Sequence, residues 1–283
     1  MKRVLVTGAS GQLGQCIDAI KDNYQNLTFI YASRERLDIS NKNEVDLFFK
    51  SNTVDWCVNC AAYTAVDRAE SDIENAKQVN INAVRNLAEA TLENNVRMIH
   101  VSTDFVFDGK HNKAYKEDAE TNPLGVYGQT KLDGEKELAT INPKHFIIRT
   151  SWLYSEFNSN FMRTMLRLSQ DRDELNVVCD QIGTPTYAKD LADALLQIIS
   201  QDSSAYGIYH YSNEGVASWY DFAKAIFEIN ANHMKVNPID SSSFPTPAQR
   251  PHFSVLDKTK IKKTFNLEIP YWKDSLKIAI SNL

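Results

Sequence analysis

A short apolar run that passes directly into three glycines is the feature that most constrains this chain. Val4-Leu5-Val6-Thr7 is followed at once by Gly8-Ala9-Ser10-Gly11-Gln12-Leu13-Gly14. A strand that turns on glycines into a helix brings free N–H groups and the positive end of the helix dipole to one point, where a pyrophosphate can bind. This segment therefore predicts a dinucleotide site. The residues expected to contact the cofactor here are Gly8, Ser10, Gly11, Gln12, Leu13 and Gly14.

Apolar runs alternate with amphipathic segments through residues 1–180. The runs are apolar at consecutive positions, which is typical of parallel strands covered on both faces. Strands are predicted at Arg3–Thr7, Leu27–Ala32, Val54–Cys60, Arg97–Ser102, Phe146–Arg149 and Val177–Cys179. Helices are predicted at Gln12–Lys21, Asn43–Ser51 and Ile73–Asn94. The alternation predicts an α/β fold with a Rossmann-type, doubly wound parallel sheet.

The alternation weakens beyond Gln181, and the segment Ser241–Pro251 carries three prolines typical of a loop. The elements predicted in this part are the helices Ala188–Ile199, Tyr220–Ile229 and Trp272–Ile280 and the strand Gly207–His210. We therefore expect residues 1–180 to form the dinucleotide-binding domain and residues 181–283 to form mainly a smaller substrate-binding lobe, with some later segments returning to the first domain.

Composition excludes several classes of function. The formal net charge of −5 and the lack of a long basic run argue against a nucleic-acid partner. No apolar stretch approaches the roughly 20 residues that span a bilayer, so no membrane partner is expected. The apolar run at the N-terminus is too short for a secretory signal peptide, and we expect a cytoplasmic protein.

Two of the four cysteines, Cys57 and Cys60, form a C-x-x-C pair. A redox pair normally starts a helix, whereas this pair lies in an apolar run that predicts a strand. A zinc site needs a second pair of ligands, and the chain has no second C-x-x-C. We interpret both residues as buried strand cysteines and expect no metal site.

The end of the second predicted strand bears on the choice of cofactor. An arginine there accommodates the 2′-phosphate of NADPH, whereas an acidic residue binds the 2′-hydroxyl of NADH. Arg34 favours NADPH, and the adjacent Glu35 keeps NADH open. Other cofactor contacts are expected further along the chain, at Asp38, Ile39, Cys60, Ala61, Ala62 and Tyr63.

Tyr127 and Lys131 form a Y-x-x-x-K pair, which places both on one face of a helix. A lysine near the phenol favours the phenolate, which matters because tyrosine ordinarily titrates near pH 10. Both residues are also expected to contact the cofactor. Thr103 follows the predicted strand Arg97–Ser102 and is the candidate hydrogen-bond donor to a substrate carbonyl, with Ser102 as the alternative. The pattern predicts Thr103, Tyr127 and Lys131 as the catalytic set.

Several segments together resemble one family, the dTDP-4-dehydrorhamnose reductases of the extended short-chain dehydrogenase/reductase superfamily. The glycine spacing and the Y-x-x-x-K pair mark only the superfamily. The resemblance also extends over Asn59–Asp67, Val101–Phe107 and Asn122–Gly128. The far more specific segments are Arg149–Tyr154, Asp180–Thr186 and Arg250–Asp257. The resemblance implies that NADPH or NADH reduces the C4 ketone of dTDP-4-dehydro-β-L-rhamnose to dTDP-L-rhamnose, with Thr103, Tyr127 and Lys131 as catalytic residues.

The same resemblance implies a sugar pocket lined by Asp104, Phe105, Val106 and Trp152, with Arg250 binding the nucleotide diphosphate. A core position for Trp152 and a surface position for Arg250 stay open as alternatives. Some relatives use an acidic residue in a metal-linked dimer at the position where this chain has Cys16. The metal is therefore not expected, and the chain is expected to be a monomer or a homodimer.

Two other functions stay open at this point. One is a reductase or epimerase that acts on another nucleotide-linked 4-keto deoxysugar. The other belongs to a different class, a regulatory subunit that binds a dinucleotide without turnover. The presence of Thr103, Tyr127 and Lys131 favours an enzyme.

Overall fold

The structure, a computed structural model, describes residues 1–283. Its twelve strands are β1 (Lys2–Thr7), β2 (Leu27–Ala32), β3 (Trp56–Asn59), β4 (Arg97–Thr103), β5 (His145–Thr150), β6 (Leu153–Tyr154), β7 (Glu174–Val178), β8 (Ile182–Gly183), β9 (Thr186–Tyr187), β10 (Gly207–His210), β11 (Ala217–Ser218) and β12 (Lys235–Ile239). Its eleven α-helices are α1 (Gln12–Ile20), α2 (Lys42–Ser51), α3 (Val66–Ala69), α4 (Ile73–Lys77), α5 (Ala83–Glu93), α6 (Val126–Ile141), α7 (Phe161–Leu168), α8 (Ala188–Ser200), α9 (Trp219–Ile229), α10 (Thr259–Phe265) and α11 (Trp272–Ser281).

Six strands form one parallel sheet in the order β10-β5-β4-β3-β1-β2. Strand β1 lies between β2 and β3, so the chain winds outward from it in both directions. The carboxyl ends of these strands meet at one edge of the sheet, and ligands bind there at the point where the winding reverses. This arrangement confirms the predicted doubly wound α/β fold.

Two apolar layers enclose the sheet. One contains the inward side chains of α1, α8 and α10 packed on one sheet face, with Val4 and Val6 of β1 fully buried. The other contains α2, α5 and α6 packed on the opposite face, with Leu5 fully buried among them. Successive residues of a strand point to opposite faces, so both faces of β1 must be apolar. The uninterrupted Val4-Leu5-Val6 run follows from this double burial.

The predicted helix Ile73–Asn94 is continuous in the structure but changes its hydrogen-bonding pattern in the middle. Helix α4 passes into a π-helical segment, Gln78–Asn82, and then into α5. A π segment inserts extra backbone into a turn and often lies at a functional site. Here it turns the buried Asn80 side chain toward the Tyr63 loop and α6.

A second, smaller core lies beside the carboxyl edge of the sheet. Helices α7, α9 and α11 pack there on the paired strands β7 and β12. The predicted strand Val177–Cys179 is part of β7, which pairs with β12 and does not join the six-stranded sheet. Strand β10 and helix α8, although they follow residue 180, pack with the large sheet. No helix of the chain is both long enough and apolar enough to cross a bilayer.

Candidate active site

A cleft of about 330 Å³ lies at the carboxyl ends of β1, β2 and β3. Ten of the predicted cofactor residues line it, namely Gly8, Ser10, Gly11, Arg34, Asp38, Ile39, Cys60, Ala61, Ala62 and Tyr63. The cleft also includes three residues that the sequence analysis did not select, Leu37, Ser40 and Val79. The structure therefore brings together three predicted segments that lie far apart in the sequence.

Two of the glycines are required by close backbone contacts. Gly8 has a φ of +64°, and a Cβ atom there would lie 2.6 Å from the backbone nitrogen of Ala61. A Cβ atom on Gly14 would lie 2.6 Å from the Cα atom of Ala9. Glycine at position 8 therefore lets this loop pack against the loop after β3, and glycine at position 14 lets α1 pack against the glycine loop itself. This packing forms the floor of the cleft.

Other members of the predicted cofactor set lie behind the cleft. Leu13 and Gly14 are buried in the first turns of α1. The Gln12 side chain accepts hydrogen bonds from Ser155 and Asn160, each at 3.0 Å, and joins the glycine loop to the loop before α7. In this structure the contribution of these three residues to the cleft is to hold the helix in place.

Arg34 is the cationic group of the cleft at the end of β2. Its side chain is 82% exposed, and its Nε atom lies 3.6 Å from Asp38 Oδ2. So exposed an ion pair contributes little free energy, which leaves the guanidinium free to rotate toward a phosphate. The Asp38 carboxylate accepts hydrogen bonds from Ser40, and these bonds lower its pKa.

Thr103 and Tyr127 come together at the carboxyl end of β4. Burial raises the pKa of the Tyr127 phenol to about 12, and an interaction with the neighbouring Thr103 hydroxyl opposes that rise. The Thr103 hydroxyl accepts from the backbone nitrogen of Phe105 at 3.2 Å and donates to Asp104 Oδ1 at 3.2 Å. The phenol therefore stays protonated at neutral pH, as a proton donor must.

Close packing of α6 on the end of β4 brings Tyr127 near Thr103. A Cβ atom on Gly128 would collide with the carbonyl oxygen of Phe105. The Glu70 carboxylate accepts from the backbone nitrogen of Val126 at 2.9 Å, at the positive end of the helix dipole. Asn80 of the π segment donates to Thr130 at 3.1 Å and so attaches the other side of the helix. Neither Glu70 nor Asn80 was predicted from the sequence. Asn80 could have been found, because it is a polar residue within an apolar helical pattern.

Lys131 lies where the sequence placed it, but its partner differs from the predicted one. Its Nζ atom donates to the carbonyl oxygen of Val101 at 2.7 Å and lies 3.2 Å from His100 Nε2. No hydrogen bond joins Lys131 to the Tyr127 phenol, so the predicted stabilisation of the phenolate by lysine is not formed in this structure. Burial lowers the pKa of Lys131 to about 8. His100 is a buried polar residue within a parallel strand, a signal that the sequence analysis did not use.

Ser102, the alternative hydroxyl, faces away from Thr103 because neighbouring strand residues point to opposite sides. It donates to Glu135 Oε1 at 2.5 Å. The same carboxylate binds Arg149 in bidentate fashion, with both side chains only 3% exposed. Ser102 is therefore hydrogen-bonded to the buried Glu135–Arg149 ion pair, and Thr103 is the hydroxyl next to Tyr127.

The three residues after Thr103 lie in different surroundings. Burial raises the pKa of the Asp104 carboxyl to about 6, although the Ser254 and Thr103 hydroxyls oppose the rise. The ring of Phe105 meets the ring of Tyr127 edge to face, with centroids 5.5 Å apart. Val106 is fully buried in a small cluster with Phe107 and Leu132. The expectation that the Val106 side chain lines the sugar pocket is wrong for this structure, because the side chain belongs to the core.

Trp152 has a left-handed backbone with a φ of +46°, a conformation that costs free energy in a bulky residue. Its indole is stacked on Trp219, with ring centroids 3.6 Å apart and an interplanar angle of 7°. Gly183 lies against the indole, where a Cβ atom would come within 2.6 Å of Trp152 Cε2. The indole is therefore fixed and partly exposed, as a wall of a sugar pocket requires, and Trp219 is a supporting residue that the sequence did not reveal.

Arg250 is only partly exposed and already has a partner. Its guanidinium binds Asp67 in bidentate fashion at 2.9 and 2.7 Å and donates to Thr246 at 2.6 Å. The Arg250 loop is thereby joined to the segment that follows the cleft residues 60–63. A diphosphate bound by Arg250 would have to compete with Asp67.

The cysteines are free thiols. Cys57 is buried within β3, as predicted, whereas Cys60 is partly exposed and lines the cleft. Burial raises the pKa of both thiols, which keeps them protonated and unreactive. No group of three or more histidine, cysteine, aspartate or glutamate side chains is arranged to hold a metal ion.

A doubly wound sheet, a glycine-lined cleft and a Thr–Tyr pair with a helical lysine together define an extended short-chain dehydrogenase/reductase. The family model for the RmlD substrate binding domain matches residues 1–283. The dTDP-4-dehydrorhamnose reductase of Aggregatibacter actinomycetemcomitans is 43% identical over 98% of both chains. The chain belongs to the dTDP-4-dehydrorhamnose reductase family.

Solved structures agree with this assignment. The structure of a dTDP-4-dehydrorhamnose reductase from Clostridium acetobutylicum superposes with a TM-score of 0.94 at 40% identity and 99% coverage of both chains. That of the Bacillus anthracis enzyme, which is in complex with NADP, gives a TM-score of 0.95 at 35% identity and covers 100% of both chains. The fold and the family predicted from the sequence are confirmed.

Proposed function

We propose that the chain catalyses the NADPH-dependent reduction of the C4 ketone of dTDP-4-dehydro-β-L-rhamnose to dTDP-L-rhamnose, in the cytoplasm. The observation that carries this proposal is the contact between the Thr103 hydroxyl and the Tyr127 phenol at the end of β4, beside the glycine-lined cleft. The substrate is proposed from family membership, because relatives such as those of Aggregatibacter actinomycetemcomitans and Mycolicibacterium smegmatis, at 43% and 36% identity, are named for that reaction.

The residues of the cleft fit a dinucleotide. Gly8 and Gly11 line the cleft and lead into the N-terminus of α1, whose free N–H groups suit a pyrophosphate. Arg34, highly exposed and weakly paired, is suited to a 2′-phosphate. When bound, the reduced nicotinamide supplies the hydride for the sugar C4 atom.

The side chains of the protein stabilise the charge on one substrate oxygen and supply one proton to it. Thr103 donates a hydrogen bond to the sugar O4 atom and stabilises the negative charge that develops on it. Tyr127 then transfers its phenolic proton to O4. Because burial holds the pKa of this phenol at about 12, the proton is present throughout the neutral range. Lys131 is proposed to contact the cofactor and to assist reprotonation of Tyr127.

Substrate contacts are proposed around this pair. The fixed indole of Trp152 offers an apolar face to the 6-deoxy sugar. Phe105, packed edge to face on Tyr127, closes the opposite side of the phenol, and Asp104 lies next to Thr103 as a buried acceptor for a sugar hydroxyl. Arg250 is proposed to bind the diphosphate after release from Asp67.

A non-catalytic dinucleotide-binding subunit and an enzyme for a different nucleotide-linked ketosugar are the competing functions. The regulatory function gives no reason for a buried, protonated phenol beside a threonine hydroxyl, which favours the enzyme. The monomer or homodimer that we expect is tested by light scattering on the purified chain.

A coupled assay with enzymatically prepared dTDP-4-dehydro-β-L-rhamnose tests the proposal through the loss of nicotinamide absorbance. We expect turnover with NADPH and slower turnover with NADH. The Tyr127→Phe variant should lower kcat by about 100-fold or more, as expected for loss of a general acid, and leave NADPH affinity nearly unchanged. Turnover by Tyr127→Phe at the wild-type rate would refute the assignment, and binding of NADPH without any turnover would favour the regulatory function.

A further inference from the structure

A continuous row of buried polar side chains runs beneath the candidate site, from β1 through β3 and β4 to α6. Thr7 donates to Asn59 Oδ1 at 2.7 Å, Asn59 Nδ2 lies 3.0 Å from His100 Nδ1, and His100 Nε2 lies 3.2 Å from Lys131 Nζ. Each of these residues is at most 2% exposed. Nothing in the chemistry proposed above uses Thr7, Asn59 or His100.

The hydrogen bonds of the row fix the orientation of the Asn59 amide. The backbone nitrogen of Ala61, which can only donate, lies 3.1 Å from Asn59 Oδ1. The Thr7 hydroxyl donates to the same oxygen. The atom of Asn59 that faces His100 is therefore the NH₂ group, and His100 Nδ1 must accept from it.

The orientation of Asn59 in turn fixes the proton of His100. Burial and the nearby lysine hold the pKa of His100 well below its usual range, so the imidazole is neutral and carries one proton. Since Nδ1 is an acceptor, that proton is on Nε2. An Nε2–H group therefore points at Lys131 Nζ from 3.2 Å.

A lysine ammonium has only donors, whereas the uncharged amine has a lone pair that can accept. The Nε2–H group forms a hydrogen bond with the amine and opposes the ammonium. We infer that His100 is a positioning residue that favours the uncharged amine of Lys131 and holds it away from Tyr127, and that the uncharged fraction of Lys131 takes up a proton from solvent when an anionic dinucleotide binds. The inference rests on the proposed function only for the location of the dinucleotide.

The other groups around Lys131 favour its charged form and so work against His100. They are Glu135, one turn along α6 and paired with Arg149 of β5, and the Cys60 thiol after β3. On its own helix, Tyr127 is protonated and contributes no charge. Burial outweighs the effect of Glu135 and Cys60 and lowers the pKa of Lys131 to about 8. The dinucleotide phosphates add negative charge and shift the balance toward the ammonium.

The first test is a long-range ¹H–¹⁵N NMR spectrum of the wild-type imidazoles, which identifies the tautomer without turnover. We expect His100 to be the Nε2–H tautomer and to remain neutral well below the pH at which an ordinary histidine titrates. A proton on Nδ1, or titration near pH 6.5, would overturn the inference whether or not any variant folds.

The second test measures proton uptake when NADPH binds, by calorimetry in buffers of different ionisation enthalpy near pH 8, where Lys131 titrates. We expect uptake of about half a proton per site in the wild type, because a group at its pKa is half protonated. His100→Leu removes the opposing N–H group but leaves Lys131 buried, so a larger fraction of the lysine should already be charged and the uptake should fall below the wild-type value.

The matched control is His210→Leu, which alters another buried histidine whose Nδ1 atom donates to the carbonyl oxygen of Tyr115 and which has no contact with Lys131. This variant should keep the wild-type uptake. Equal uptake by His100→Leu and the wild type would contradict the inference. An enzyme that takes up the proton but does not reduce the sugar would instead contradict the proposed function alone.

Discussion

The buried ion pair between Glu135 and Arg149 gives a prediction whose size follows from the structure. The two side chains are each 3% exposed and are joined by hydrogen bonds of 3.0 and 2.7 Å. Arg149 also lies over the ring of Phe107, 5.2 Å from its centroid. The proposed perturbation is Glu135→Leu, which removes the carboxylate and leaves the guanidinium buried without its counter-charge.

Removal of one partner from a buried ion pair costs about 3–5 kcal/mol, because the remaining charge is desolvated and unpaired. A domain is stable by only about 5–15 kcal/mol, so the loss is a large fraction of the total. Ser102 loses its acceptor as well, which adds about 1 kcal/mol. Replacement of both charges, in Glu135→Leu/Arg149→Met, leaves no buried charge and should restore much of the loss.

The assay is urea-induced unfolding of the wild type, the single variant and the double variant, followed by circular dichroism. The expected order of stability is wild type, then double variant, then single variant, with the single variant about 4–6 kcal/mol below the wild type. A free energy of unfolding of the single variant within about 1 kcal/mol of the wild-type value would refute the expected cost of leaving Arg149 buried and unpaired. A double variant less stable than the single one would show that the pair is favourable in itself and not merely costly to break.

Three further predictions concern the site. Lys131 has a pKa of about 8 in the folded protein and an ordinary value of 10.5 in the unfolded chain, so between these pH values the unfolded state binds more protons and wild-type stability rises with pH. The Lys131→Met variant lacks this titration. Its free energy of unfolding relative to the wild type, measured with urea, should therefore fall by up to about 3 kcal/mol between pH 7 and pH 10.5. A difference that stays constant with pH would contradict the depressed pKa of Lys131. Arg34→Ala should raise the KM for NADPH by about 10-fold or more and leave that for NADH unchanged in steady-state assays, and equal effects on both cofactors would count against the 2′-phosphate contact. Gly183→Ala places a Cβ atom 2.6 Å from the Trp152 indole, which is stacked on Trp219. Because the indole would be displaced, the KM for the nucleotide sugar should rise while the Kd for NADPH stays constant. An unchanged KM would show that Trp152 is not part of the sugar pocket.

The local parts of the site were readable from the sequence because they depend on short-range rules. A glycine loop between an apolar strand and a helix has few other uses, and Gly8 is required at its position by a φ of +64°. Tyr127 and Lys131 share a helix face whatever surrounds them. Cleft residues on three separate segments were found in this way, because each segment follows a strand whose carboxyl end must reach the same edge of a parallel sheet.

The errors arose where the partner of a side chain is distant in sequence. Nothing in the local sequence distinguishes a pocket-lining Val106 from a core Val106. Only its packing with Phe107 and Leu132 in the structure shows that the side chain belongs to the core. The strand Glu174–Val178 was recognisable in part, but its pairing with β12, about 60 residues later, removes it from the large sheet. Trp219 and Asp67 likewise acquire their significance only from Trp152 and Arg250.

The sequence by itself determined the parallel α/β fold and indicated the glycine loop and Thr103, Tyr127 and Lys131 as candidate site groups, because strand burial, turn geometry and helical spacing act over a few residues. The tertiary structure decided what each candidate catalytic group touches. Lys131 faces His100 and the carbonyl of Val101 and not the phenol, and Ser102 is committed to Glu135. Protonation states depend on such contacts and on burial, and both are set by chain segments that lie far apart in the sequence.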